Sequence, residues 1–354
     1  MLQFFDFHSK DVVLNQVPSN RSNYCINESQ KDAWTPFLSF PIINGCNFKC
    51  RYCGLGGEAT ASYESKTSFD LIKKVVPIAI HKGIKKYRIT GGEPFLHPNI
   101  IEILNYFSDL GVYTLINTNG SLINKFRNEL ALLNSNLRFA VSFDTLEPQK
   151  LQYISNRDSW SDVHDALWFL KEHNLLLRCN MVVGKYNIDE VFDVINFCQQ
   201  LKCDLKLLDI VSVPLPYGER KSVYQEIDSL EVELANRCDE IFSHEYTRGF
   251  GTPCYRYRFG ETFVTVKNSH FGSHYDREGN GICSKCKYYP CHEGLYDIFA
   301  LSDGRFCACR WTEKQESLII EEQLDFLIKA FRRSTYFSPT IHDDMKRRID
   351  LENQ

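Results

Sequence analysis

No run of eighteen apolar residues occurs in the 354-residue chain, and its amino terminus, MLQFFDFHSKD, has no basic segment followed by a long apolar one. The sequence therefore predicts neither a membrane span nor a secretory signal, and a cytoplasmic protein is expected. An excess of positive charge is missing too: 41 Lys and Arg stand against 45 Asp and Glu, for a net charge of −4. Without a basic field there is little to grip a nucleic-acid backbone, so nucleic acid is not an expected partner. Internal repeats and low-complexity runs are absent. The 43% hydrophobic and 24% charged residues suit a folded chain of one large domain or two.

Cysteine is plentiful, with 14 residues. A reducing cytosol does not preserve structural disulfides, which makes metal ligation the default explanation.

Short apolar runs alternate with longer helical periods six times between residues 35 and 246. The strand candidates are Phe37–Ile43, Lys86–Thr90, Val112–Asn117, Leu137–Phe143, Leu175–Val183 and Leu205–Ile210. The helix candidates are Ser68–Lys82, Asn99–Leu110, Leu122–Asn134, Ser161–His173, Ile188–Lys202 and Ser222–Ser243, the first two stopped by Gly83 and Gly111. Such alternation implies parallel strands with right-handed crossovers, an α/β fold of the partial (β/α)₆ TIM-like barrel type. Around this core (35–246) lie an amino-terminal arm (1–34), a Cys-, Gly- and Tyr-rich region (247–310) and a helical tail (311–354). The tail carries Leu318, Ile319, Leu324, Leu327, Ile328 and Phe331 at roughly helical spacing.

Cys46-Asn-Phe-Lys-Cys50-Arg-Tyr-Cys53 follows the first predicted strand, at the end where such barrels hold their chemistry. Three thiolates on one loop suit three irons of a [4Fe–4S] cluster and leave the fourth iron open. A three-Cys zinc site lacking its fourth ligand, or three unrelated thiols, are the alternatives on spacing alone. Thr90-Gly91-Gly92-Glu93-Pro94 ends the second strand, where two glycines permit close backbone approach and a carboxylate suits an amino group.

C-x₃-C-x₂-C followed at this distance by Gly-Gly-Glu-Pro, within a six-fold βα pattern, resembles the radical S-adenosylmethionine (SAM) superfamily. The resemblance implies that Cys46, Cys50 and Cys53 bind the SAM-cleaving [4Fe–4S] cluster. It places Tyr52 by the adenine, and Gly91, Gly92 and Glu93 at the methionine amino group. Thr118 of Thr-Asn-Gly would lie by the methionyl moiety, Ser142 by the ribose, and Asn180 in the same pocket. The implied reaction cleaves SAM to a 5′-deoxyadenosyl radical that removes a hydrogen atom from substrate, with electrons from a flavodoxin- or ferredoxin-type donor.

Farther on, Cys283-x₂-Cys286-x₄-Cys291 precedes Asp303-Gly304, a good hairpin turn, and Cys309. This resembles the SPASM and twitch extensions of the superfamily and implies an auxiliary [4Fe–4S] cluster on Cys283, Cys286, Cys291 and Cys309. Cys307 is the likelier spare, Cys254 is a further candidate, and a zinc knuckle is the alternative. Cys25, Cys179, Cys198, Cys203 and Cys238 show no mutual spacing and read as buried apolar thiols.

Over residues 36–310 the order of motifs is similar to the GTP 3′,8-cyclases of molybdenum-cofactor biosynthesis. The chain departs from them after Cys291, where His292–Ile298 contains no arginine, and in ending Leu351-Glu352-Asn353-Gln354 rather than Gly-Gly. A small-molecule substrate is expected, because the 34-residue arm is too short for a leader-peptide-binding domain. A peptide-crosslinking or epimerising maturase is the second reading, and a non-catalytic zinc-binding protein the contrasting one. Arg256, Arg258, His270, His274 and Arg277 are candidates for touching substrate; the plainer readings are a strand alternating with tyrosines and a solvated loop.

Overall fold

The computed structural model describes residues 12–14, 36–53, 66–210, 222–243, 254–268, 273–277, 279–286, 289, 294–309, 319–333 and 336–338. β2 (Phe37–Pro41), β3 (Lys86–Thr90), β4 (Tyr113–Thr118), β5 (Leu137–Ser142), β6 (Leu176–Val182) and β7 (Asp204–Leu208) pair in that order, each parallel to the next. All six begin within one residue of their predicted starts, because the apolar period that reveals a strand is also what buries it.

Helices connect the strands: α1 (Phe69–His81), α2 (Ile100–Asp109), α3 (Arg127–Leu130), α4 (Pro148–Ser155), α5 (Trp160–Glu172) and α6 (Val191–Leu201). Ser68 caps α1 by accepting a hydrogen bond from the Leu71 amide at 3.2 Å, and Gly83, with φ +84°, follows its end. The expected helix Leu122–Asn134 is shorter than predicted. A 3₁₀ turn, Ile123–Phe126, gives way to one turn of α3 where Phe126 leaves helical backbone values (φ −123°, ψ 21°). Helix α4 was not anticipated, although Pro148 at its first turn and left-handed Asn156 at its end are ordinary boundary signals.

Ser222–Ser243 is not one helix. It divides into α7 (Asp228–Arg237) and β8 (Glu240–Ser243), because the second half pairs antiparallel with β9 (Tyr255–Phe259). β9 pairs with β10 (Thr262–Lys267), and β10 lies parallel to β7. At the opposite edge, β12 (Asp297–Ala300) runs parallel to β2 and turns at Gly304 (φ +83°) into β13 (Phe306–Cys307), which confirms the Asp-Gly hairpin. The Cys-rich region thus joins both edges of the core sheet, extending six parallel strands to eight. With β1 (Val12–Leu14) beyond β8, the sheet has twelve strands and is not closed into a ring. A separate pair holds β11 (Ser273–Tyr275) against β14 (Tyr336–Ser338).

Helix α8 (Ile320–Arg333) packs on α1 through Leu324, Leu327, Ile328 and Phe331, all buried, and Lys82 meets Asp325 at 2.6 Å. Ile319, assigned to the same apolar stripe, precedes the helix and is 62% exposed; Leu318 lies outside the described residues.

Neighbouring residues of the parallel strands face opposite sides of the sheet. Tyr87 and Ile89, Phe139 and Val141, Cys179 and Met181, Leu205 and Leu207 are buried on the face that the helices cover. The intervening residues turn to the concave side, where Ser39, Arg88, Asn117, Ser142, Arg178 and Lys206 form a polar lumen. Closed barrels of this kind fill that space with branched apolar side chains; here polar and charged residues take several of those positions.

Asp297, 2% exposed, accepts hydrogen bonds from Ser39 Oγ and from the Arg88 guanidinium, tying edge strand β12 to β2 and β3. Removing one partner of a buried ion pair strands the other. Asp297→Ala is therefore expected to lower unfolding free energy by about 3 kcal/mol, measured by urea denaturation; a change under about 0.5 kcal/mol, the usual surface value, would contradict that role.

Candidate active site at the strand ends

The loop after β2 carries the three motif cysteines and is pinned on two sides. The Lys49 and Arg51 amides donate to the Ser155 and Ile154 carbonyls at 2.8 and 3.0 Å, satisfying acceptors that the end of α4 would otherwise leave open. Asn47 donates to Ser121 Oγ at 2.9 Å and accepts from Asn119 Nδ2 at 2.8 Å, which fixes the loop to the turn after β4. Cys46 Sγ accepts from the Phe48 amide at 3.4 Å and from Asn119 Nδ2 at 3.8 Å.

Gly91 and Gly92 dock the second motif onto the first. A Cβ at Gly92 would stand 2.1 Å from the Gly45 carbonyl oxygen, and one at Gly91 2.3 Å from that of Ile43. The space they spare holds hydrogen bonds from the Gly92 amide to Ile43 O (2.6 Å) and from the Glu93 amide to Gly45 O (2.9 Å). Gly91 also needs its φ of +143°. The close approach foreseen for a ligand is thus made, in the first place, to the cysteine loop itself.

Glu93 is fully buried and sits at the centre of the network. Oε1 accepts from Thr118 Oγ1 (2.8 Å) and the Phe95 amide (3.1 Å), and Oε2 accepts from the Asn119 amide (2.7 Å). Burial pushes its pKa up to about 7 against these hydrogen bonds. Tyr52 donates to Asp144 Oδ2 at 2.8 Å, and Asp144 Oδ1 accepts from the Val182 amide at 2.8 Å, so the cysteine loop is also latched to the ends of β5 and β6. Burial raises Asp144 to about 6. Asn119 and Asp144 were not singled out from the sequence, though each stands beside a residue that was.

Ser142 and Asn180 are register partners on β5 and β6 and face the lumen. Ser142 makes no hydrogen bond through its hydroxyl among the described residues, while Asn180 accepts from Arg178 Nε at 3.0 Å. The buried Asn117 Oδ1 on neighbouring β4 has no partner.

Among the auxiliary candidates, Cys283 is buried and Cys286 and Cys309 are half-buried, whereas Cys291 lies outside the described residues. Asp276 shapes the turn, accepting from the Cys283 amide through its carbonyl (2.9 Å) and from the Ile282 amide through its carboxylate (3.0 Å). His270 lies outside the described residues; His274 is buried on β11, and Arg277 stacks on Tyr289. Arg256 is buried, 3.8 Å from Asp204. Arg258 does not reach the strand-end mouth: it pairs with Glu240 and Asp239 at the other end of β9.

Three cysteines without apparent relation in the sequence do meet. Cys179 on β6, Cys198 on α6 and Cys203 before β7 are buried with their sulfurs within 4.8 Å of one another, and the Cys179–Cys203 separation is 4.0 Å. One βαβ unit folds them together across 24 residues, a proximity that linear spacing does not carry.

Residues 40–198 match the model of the Radical SAM superfamily. They are a radical SAM domain. A probable GTP 3′,8-cyclase of Methanothermobacter thermautotrophicus is 29% identical over 59% of this chain and 69% of its own length. A GTP 3′,8-cyclase of Syntrophomonas wolfei is also 29% identical, over 50% of this chain and 56% of its own. Among solved structures, Streptococcus suis SuiB bound to SAM superposes with a TM-score of 0.61 at 17% identity, over 85% of this chain and 68% of that one. SuiB bound to its precursor peptide SuiA gives 0.59 at 15%, over 90% and 69%. These likenesses confirm the partial-barrel fold, and the radical SAM domain makes the chain an enzyme of radical chemistry whose cofactors are a [4Fe–4S] cluster and SAM.

The first cysteine loop fits that cluster. Ligands of one ion converge, and among the described residues only the Cys179 trio does so within 4.8 Å; Cys46, Cys50 and Cys53 share a loop without all three sulfurs lying that close together, which suits ligands to three separate irons better than ligands to one. Burial pushes the Cys46 thiol up to about 11 and Cys50 well above its ordinary range, so the thiolates depend on the metal's positive charge.

Because the loop is seated by two glycines, Gly92→Ala is expected to force the loops apart, costing at least about 3 kcal/mol of stability and most of the loop's iron on anaerobic reconstitution. Wild-type iron content and an unchanged unfolding midpoint in that variant would contradict the docking role.

Proposed function

We propose that this radical SAM enzyme removes a hydrogen atom from a small-molecule substrate held in the barrel lumen, assisted by an auxiliary [4Fe–4S] cluster in the Cys283–Cys309 region. The observation that carries the reading is the row of polar residues, Asn117, Ser142, Asn180 and Lys206 among them, on the sheet face away from the helices, with the cysteine loop seated at the ends of the same strands.

When bound, the cluster supplies the electron that splits SAM into methionine and the 5′-deoxyadenosyl radical. The chain's own part is to bind, orient and exclude water. Cys46, Cys50 and Cys53 hold the cluster. Glu93, kept in place by Thr118 and Asn119, presents carboxylate charge to the methionine amino group, and Gly91 and Gly92 bring that carboxylate to the loop. Tyr52, latched by Asp144, walls the adenine side, while Ser142 and Asn180 offer a hydroxyl and an amide to the ribose.

Cys283, Cys286, Cys291 and Cys309 suit the auxiliary cluster by number and by the confirmed hairpin between the third and fourth. Among the described residues, no three ligands of that region gather as a single zinc ion requires. A flavodoxin- or ferredoxin-type protein would supply the electrons. The arginine-free stretch after Cys291 argues against cyclisation of GTP, the reaction named for the relatives.

Anaerobic reconstitution tests the assignment. About eight irons per chain are expected, falling to about four when Cys46, Cys50 and Cys53 are replaced by Ala, with loss of 5′-deoxyadenosine formation. Replacing Cys283 and Cys286 should also leave about four irons but retain SAM cleavage. Zinc as the only bound metal, or SAM cleavage surviving the triple replacement, would overturn the proposal.

A further inference from the structure

We propose that Cys179, Cys198 and Cys203 form a three-thiolate site for one copper(I) ion, on the helix-covered face of the sheet and separate from both iron–sulfur regions.

Each sulfur is carried by a regular element or by its immediate end. Cys179 lies within β6 and Cys198 in the last turn of α6. Lys202 takes a left-handed conformation (φ +52°) after that helix, which turns the chain back so that the Cys203 amide donates to the Cys198 carbonyl at 3.1 Å. Cys203 then leads into β7, whose Leu205 is the register partner of Cys179. The three sulfurs meet where a strand, a helix end and the next strand converge. They lie within 4.8 Å of one another, with Cys179 and Cys203 at 4.0 Å. Cys179 and Cys198 are fully buried, and Cys203 is 5% exposed. Neighbouring strand residues face opposite sides, so Cys179 points away from the lumen that Asn180 faces.

A single buried thiol is an ordinary core residue; three that converge are also a preorganised set of ligands. Their spacing and number select the ion. A d¹⁰ ion about 2.3 Å from three coplanar thiolate sulfurs holds them about 4.0 Å apart, which matches the Cys179–Cys203 separation. An iron–sulfur cluster needs its cysteines on separate irons, and sulfurs this close enclose one ion. Structural zinc takes four ligands, but among the described residues no histidine or carboxylate joins the three sulfurs. Asp204, next in the chain, is directed elsewhere: it accepts from the Phe263 amide at 3.1 Å and has Arg256 at 3.8 Å. Burial closes the trio to bulk water as a fourth ligand. Soft thiolates select copper(I) among the remaining ions. Binding releases thiol protons to solvent, and the ion crosslinks β6, α6 and β7 from behind the sheet.

The test uses iron-reconstituted holoenzyme without oxygen, with copper(I) supplied as its bicinchoninate complex, so that only a site stronger than the chelator takes the metal. Copper and iron are measured on the same sample, which separates this site from the cluster-binding cysteines. A single copper per chain is expected with iron content unchanged, and X-ray absorption should show three sulfur ligands at about 2.3 Å. Cys198→Ala should weaken copper binding at least tenfold and keep its iron; Cys203→Ala serves the same purpose should that variant not fold. The proposal is overturned if no copper binds, if copper enters only as iron leaves, or if two sulfurs coordinate it. Undiminished binding in the alanine variants overturns it too, as does zinc carried by these three cysteines in the purified enzyme.

Discussion

Everything at the strand ends depends on one steric allowance: two backbones lie so close at Gly92 and Gly45 that no β-carbon fits between them. That contact lets the strand-end motif hydrogen-bond to the loop preceding the cysteines, and it delivers Glu93 to the point where Thr118 and Asn119 close around its carboxylate. Asn119 in turn reaches Cys46 and Asn47, so the cysteine loop, the glutamate and the turn after β4 form one hydrogen-bonded unit. Preorganisation of this sort holds the loop sulfurs and the Glu93 carboxylate in fixed relation, as the proposed cofactor site requires.

Beneath that unit the same strands do two jobs with alternate residues. Their outer faces provide the apolar burial that holds helices to sheet, each large side chain contributing about 2 kcal/mol. Their inner faces carry polar groups that a packed core would not tolerate. Stability is therefore concentrated outside, in the helix–sheet layer, and the interior is free to be specialised. The buried Asp297–Arg88–Ser39 contact shows the compromise, serving at once as a clamp on the edge strand β12 and as part of the charged lumen.

Much of this was legible in the sequence. Period-two and period-3.6 patterning located all six core strands, and the motifs Cys46–Cys53 and Gly91–Glu93, each read within a short stretch of chain, pointed to the radical SAM family. What escaped depends on contacts between distant segments. Ser222–Ser243 reads as a helix until β9 is present to pair with its second half. Asp144 is inconspicuous until Tyr52 is folded against it. Cys179, Cys198 and Cys203 meet only through a βαβ crossover.

The central claim is that the seated loop holds a cluster whose open iron is chelated by SAM. Electron paramagnetic resonance of the dithionite-reduced enzyme, with SAM labelled with nitrogen-15 in its amino group, tests this most directly. Chelation predicts that SAM shifts the cluster's g-values and that the labelled nitrogen shows hyperfine coupling to it. A spectrum unchanged by SAM, with no nitrogen coupling, would contradict it.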